Sequence, residues 1–304
     1  MSVPFIQFED ADGLLDWLDL TDALAQGHSL PKAEIGDTFL YRGDDTLLSR
    51  SAWIDGLGVA VKSATVLPDN PAQGRPMING AVTVFSDATG VLEAILDFHL
   101  VTKWKTAGDS LLAARRLARP DSRRILIVGS GTVARSLHAA YSAAFPGAHF
   151  TIWSRTAQNA TALADTLGAK AVTDLEEAAR AADIITCATM STEPVLQGEW
   201  LSPGTHVDLI GAYRPDMREA DDAALQKARV FVDSFDTTLG HIGEVQIPLE
   251  RGVLARDDLL ADFYDLPRFS RQDPDEITLF KNGGGAHLDL MTARYILATW
   301  RAAQ

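Results

Sequence analysis

RILIVGSGTVA, residues 124–134, runs four apolar residues into a glycine-rich turn that opens onto helical spacing. A strand buried on both faces reads as a continuous apolar run, and ILIV has that form. Gly129 permits a tight turn, Gly131 lets backbone amides approach a pyrophosphate, and Ala134 allows the helix to pack close. The following GTVARSLHAAYSAAF keeps Val133, Leu137, Tyr141 and Ala144 on one apolar face. A second apolar run, HFTIWS (149–154), comes next. Strand, loop, helix and strand arriving in order within about 30 residues supply the context a bare glycine pattern lacks, and they predict a dinucleotide site.

Working outward, further short apolar runs alternate with helical stretches: DIITCAT, HVDLIG, ARVFVDS and ITLFKN. That alternation predicts an α/β fold with a doubly wound parallel sheet of the Rossmann type and helices on both faces. The second strand of such a unit ordinarily ends in an acid that accepts hydrogen bonds from the adenosine ribose. Here it ends in Ser154, Arg155 and Thr156. The two hydroxyls can hydrogen-bond a phosphate, and the guanidinium can pair with it or stack on adenine. The coenzyme expected is therefore NADPH, preferred over NADH. Ser130, Thr132 and Val133 of the loop join that set, as do Ala188, Thr189 and Met190 of CATMSTEP, which follows a strand at the carboxyl edge where ligands bind. Thr106 and Lys281 are assigned to the coenzyme too. Lys281 opens KNGGGAH, whose glycines suit either close backbone approach or a flexible connector. Cys187 reads as a small packing residue.

Before this region, from about Lys32 to Leu96, short alternating segments and turns such as PDNPAQG predict an antiparallel sheet. Val59 and Val61 alternate with Ala60 and Lys62. FHLVTKWKTAGDSLLAARRLA then reads as a connecting helix, and GGGAHLDLMTARYILATWRA as a C-terminal helix expected to return to the first domain. A chain of 304 residues suits two domains. The expected division is 1–115 with 287–304, and 116–286.

A net charge of −14 and a pI near 4.8 oppose polyphosphate backbones and acidic membranes, so neither nucleic acid nor membrane is expected as a partner. One cysteine permits no intrachain disulfide, and the seven histidines are scattered, so no metal site is expected. The opening MSVPFIQFEDADG has no basic segment followed by a long apolar one, and the cytoplasm is the expected compartment. No G-x-S-x-G elbow points to a hydrolase.

Three stretches together carry a family resemblance: VKSATVLPDNPAQGRPMINGAVTVFSDATGVLEAILDFHLVTKWKTAGDS (61–110), RILIVGSGTVA, and HVDLIGAYRPDMREAD (206–221). From about Pro31 to the C-terminal helix the chain resembles the ornithine cyclodeaminase and mu-crystallin family. The resemblance implies an N-terminal α+β domain that binds substrate and dimerises, a Rossmann domain, and one of the family's activities: cyclodeamination of ornithine, dehydrogenation of alanine or arginine, or NAD(P)H-dependent reduction of cyclic ketimines. Lys62 matches the family's catalytic lysine near the substrate nitrogen and carboxylate. Lys105 and Lys32 stand where cyclodeaminases have carboxylate-gripping arginines, exchanging a fork for a point charge. Arg50, in the same sheet region, is placed to help, although the matching family position is not usually basic. Tyr213 stands where cyclodeaminases carry an aspartate used in proton transfer, and is expected either to donate a proton or to cover the ring.

A held carboxylate, a protonated imine nitrogen and NADPH together suit reduction of a cyclic imino acid, Δ1-pyrroline-2-carboxylate or Δ1-piperideine-2-carboxylate, to L-proline or L-pipecolate. Two alternatives stay open: cyclodeamination of ornithine with catalytic NAD, and a non-enzymatic NADPH and small-ligand binder of the crystallin kind. A homodimer is implied by the resemblance.

Overall fold

The computed structural model describes residues 3–304 and divides the chain into two compact units, Met1–Lys105 with Gly285–Gln304, and Thr106–Gly284. The division falls inside a continuous helix, earlier than the boundary expected after residue 115.

In the first unit, β1 (Phe5–Ile6), α1 (Phe8–Ala11) and α2 (Trp17–His28) precede five antiparallel strands: β2 (Glu34–Arg42), β3 (Asp45–Ile54), β4 (Gly58–Val66), β5 (Ile78–Phe85) and β6 (Leu92–Asp97). The sheet order is β1-β6-β5-β4-β3-β2, with β1 parallel to β6. Asp16 caps α2 by accepting from the amides of Leu18 and Asp19, which satisfies donors that the first turn cannot pair internally. On β4 the buried face carries Ala60, Lys62 and Ala64, whereas Val59 and Val61 are only half-buried. Small residues there let the C-terminal helix lie close to the sheet.

α3 (Phe98–Leu117) follows β6, and Leu100, Trp104, Leu111 and Leu117 are all buried, as their spacing predicts. The second unit then alternates: β7 (Arg124–Val128), α4 (Thr132–Ala144), β8 (His149–Trp153), α5 (Ala157–Leu167), β9 (Lys170–Ala171), α6 (Leu175–Ala181), β10 (Ile184–Cys187) and β11 (His206–Leu209). α7 (Asp222–Lys227), β12 (Arg229–Val232), α8 (Phe235–Thr238), α9 (Gly243–Glu250) and β13 (Thr278–Lys281) complete it. The sheet is parallel throughout, in the order β12-β13-β11-β10-β7-β8-β9. The six strands expected from sequence are present; β9 is added, and β13 inserts between β11 and β12. α10 (Ala286–Ala302) belongs to the first unit, as expected of the C-terminal helix.

Strand order reverses at β7, whose neighbours are β8 on one side and β10 on the other. Ligands of such sheets bind in the crevice beyond the carboxyl ends of the strands at that switch point. Among the described residues no helix is long and apolar enough to cross a membrane.

Candidate functional site

At the switch point, Gly129 leaves β7 with φ +127°, and a Cβ there would lie 2.6 Å from the Ala188 carbonyl oxygen of the loop after β10. Only glycine allows this closeness and this backbone. Its amide donates to the Trp153 carbonyl at 2.8 Å, which ties the loop to the end of β8. At Gly131 the situation is opposite, since a Cβ would meet nothing within 4 Å. Gly131 is also the N-cap of α4 and offers no side-chain cap, so the first-turn amides of Thr132 and Val133 are left to an outside acceptor. Open space against unclaimed amides fits a pyrophosphate. Ala134 is fully buried with Ile127 and Ile152, which brings α4 against the sheet.

Ser130 Oγ donates to Ser154 Oγ at 3.0 Å, so the glycine-rich loop and the end of β8 share one polar rim. Arg155 and Thr156 stand exposed beside it, and Arg155 has no ion pair among the described residues. Thr189 is half-buried and Met190 exposed in the loop after β10. Thr106 is half-buried, its carbonyl accepting from Asn282 Nδ2 at 3.1 Å.

One carboxylate missed in the sequence braces these loops. Glu219 is fully buried; one oxygen accepts from the Thr189 amide and hydroxyl at 2.6 and 2.8 Å, the other from the Gly211 amide at 2.6 Å. Burial pushes its carboxyl up to about 8, with nearby Lys281 opposing and Glu244 adding to the rise. Lys281 was expected to touch the coenzyme. Its side chain is instead fully buried, with the ammonium donating at 2.8 Å to the carbonyls of both Leu209 and Asn282. A charge that far from water needs carbonyl and carboxylate neighbours, and Lys281 is spent on them. Tyr213, in the loop after β11, is 55% exposed, and the Arg214 guanidinium lies 5.9 Å from its ring centre.

In the first unit the sheet register lines up Asp37, Arg50 and Lys62 on β2, β3 and β4. Arg50 is held by Asp37 at 2.9 Å. Lys62, only 6% exposed, donates to Asp289 Oδ1 at 3.0 Å and Thr102 Oγ1 at 3.1 Å, and its Nζ lies 4.6 Å from the centre of the Phe98 ring. Lys105 Nζ is 4.0 Å from the same Asp289 oxygen. Burial lowers the Lys62 ammonium to about 8; Asp289 resists that shift, while Lys105 and Arg50 add to it. Burial alone would raise Asp289, but Lys62 and Lys105 hold its carboxyl below the usual range. His287, also buried, is lowered well below the ordinary histidine value by burial and then by His28, Lys105, Arg50 and Lys32. Lys62, Lys105 and Arg50 are thus brought together, and Lys32 is exposed but acts on the same group of charges.

Asp289 was not singled out in the sequence. Its signal was present: a lone acid between buried Leu288 and Leu290 on a helix demands a partner. Thr102 lies three residues before Lys105, on the same face of α3.

A groove of about 430 Å³ at the opposite edge of the parallel sheet is lined in part by Arg124, His149, Lys170 and Glu177. Arg124 there is already paired with Asp183 at 2.7 Å, and the groove takes no part in the site.

Residues 53–304 match the ornithine cyclodeaminase/mu-crystallin family. The chain belongs to that family. Among its relatives, a Δ1-pyrroline-2-carboxylate reductase of Paracoccus denitrificans is 52% identical over 301 residues, covering 96% of this chain and 95% of the relative. Two solved structures of the family's fold superpose with a TM-score of 0.89 at 25% identity. One is the Thermococcus litoralis Δ1-pyrroline-2-carboxylate reductase in complex with NADH and L-proline, with 98% of each chain covered. The other is an archaeal alanine dehydrogenase dimer with bound NAD, covering 100% of this chain and 97% of that one. In this member of the ornithine cyclodeaminase/mu-crystallin family an acid from α10, Asp289, stands beside Lys62.

Proposed function

We propose that the protein is an NADPH-dependent reductase of cyclic imino acids, converting Δ1-pyrroline-2-carboxylate or Δ1-piperideine-2-carboxylate to L-proline or L-pipecolate. The observation that carries this reading is the buried Lys62 ammonium, pinned by Asp289 and Thr102 with Lys105 and Arg50 close by. Bound NADPH would supply the hydride that converts the C=N carbon to C–H. The chain's own residues supply the rest. Lys105, Arg50 and Lys32 attract and orient the substrate carboxylate, and Lys62 delivers the proton that makes the ring nitrogen an amine. An acid near 8 is protonated at neutral pH yet gives up its proton more readily than an exposed lysine does. The first unit thereby takes the imino acid and the second the coenzyme. Ser154, Arg155 and Thr156 favour the 2′-phosphate, which supports NADPH over NADH. Tyr213 covers the ring in this scheme, and the cytoplasm is its proposed setting.

The 52% identity to a named pyrroline-2-carboxylate reductase supports the substrate class. The direct test follows NADPH absorbance with the five- and six-membered imino acids. Oxidation of NADPH with both is expected, and no ammonia from ornithine plus NAD. Release of ammonia from ornithine without consumption of NADPH by the imines would establish cyclodeamination instead.

We also propose that it works as a homodimer built on the edge of the antiparallel sheet. β2 is an edge strand with Phe39, Leu40 and Tyr41 all exposed, and Leu47 and Trp53 on β3 are exposed as well. An apolar edge of this kind pairs with another chain unless protected. Light scattering should give twice the 32.8 kDa chain mass, and Leu40→Glu with Tyr41→Glu should halve it. A monomeric parent protein would remove the proposal.

A further inference from the structure

The acid beside Lys62 comes from a helix 227 positions away in sequence, and its geometry gives it work beyond closing an ion pair. Oδ1 of Asp289 accepts from Lys62 and has Lys105 at 4.0 Å, whereas the equally buried Oδ2 has no hydrogen-bond partner among the described residues. Lys62 is faced from β3 by Arg50, which Asp37 of β2 pairs, from α3 by Lys105, Thr102 and the Phe98 ring, and from α10 by Asp289, the anion in direct contact with it. Lys105 and Arg50 both oppose its proton, as does burial. An ammonium in that company needs a fixed negative partner to stay charged and to keep one direction.

We propose that Asp289 is the positioning residue of the reduction, holding Lys62 protonated and aimed so that its proton can be delivered to the substrate nitrogen. This rests on the reductase reading for its consequence, but its physical core, control of Lys62 by Asp289, does not.

The test is a pair of measurements on the full-length protein. With only seven lysines in the chain, the side-chain signals of isotope-labelled lysine can be followed by NMR across pH, and Lys62 assigned by Lys62→Met. In Asp289→Asn the Lys62 midpoint should fall by about one pH unit or more, because the anion that holds its charge is gone. The descending alkaline limb of kcat/KM should move down with it, while the dissociation constant for NADPH stays unchanged. Asp289→Glu, which keeps the charge but changes its reach, should hold the midpoint within about half a unit and lower kcat. An unmoved Lys62 midpoint in Asp289→Asn, with kcat reduced equally at every pH, would overturn the proposal. If that variant does not fold, the Glu variant decides: full kcat together with a midpoint displaced by a unit or more overturns it. A shifted midpoint in protein that never reduces cyclic imines would uphold the pairing and refute the reductase reading instead.

Discussion

Replacing Lys62 by methionine should lower kcat for cyclic imino acids by about 10²–10⁴-fold, the usual worth of a positioned general acid. Methionine keeps most of the apolar stem that lies along Phe98 and removes the ammonium. Because the proton to be delivered is lost above about pH 8, the wild-type rate should fall as pH rises through that value, and this limb should vanish in the variant. Binding of NADPH should be unchanged, since the phosphate loop and the Ser130–Ser154 rim belong to the other unit. Some loss of thermal stability is expected as well, because the buried Asp289 keeps only the more distant cations Lys105, at 4.0 Å, and Arg50. Stopped-flow or steady-state absorbance at 340 nm, alongside a melting curve, separates the two effects. Retention of full kcat would remove Lys62 from the chemistry.

The second large effect is on coenzyme choice. Arg155→Ala should raise KM for NADPH by about 10- to 100-fold, matching the roughly 1.5–3 kcal/mol of a hydrogen bond to a charged group. KM for NADH should change little. The contrast is clean because Arg155 is exposed and unpaired among the described residues, so its loss should leave the melting temperature almost where it was. An equal loss with both coenzymes would show that the arginine does not read the 2′-phosphate.

Much of the fold was legible along the chain. The strands of the parallel sheet are buried on both faces, so ILIV, IIT and VFV appear as unbroken apolar runs that need no knowledge of their neighbours. The glycine-rich loop was legible for a related reason: a steric rule at Gly129 acts within a few residues. Less visible was the buried face of β4. Alternation marked two faces, and valines would ordinarily be placed inside, yet the Ala60, Lys62 and Ala64 face is the buried one because α10 packs there.

Side-chain direction was the other thing hidden from sequence. Lys281 lies at the end of β13 in the region expected for the coenzyme, but its ammonium turns inward to carbonyls of Leu209 and Asn282. Glu219 was not singled out in the sequence, and only folding reveals it as the acceptor shared by the loops after β10 and β11.

The sequence by itself determined the alternating architecture, the glycine-rich loop and the absence of an acid after β8. These are local properties, written in spacing and in what a short segment can sterically do. Only the tertiary structure decided which acid accompanies Lys62, because Lys62 and Asp289 meet through a β-strand and a helix drawn from opposite ends of the chain. The pairing sets the charge of a buried amine through a distance of 3.0 Å, and no pattern in one dimension carries that distance.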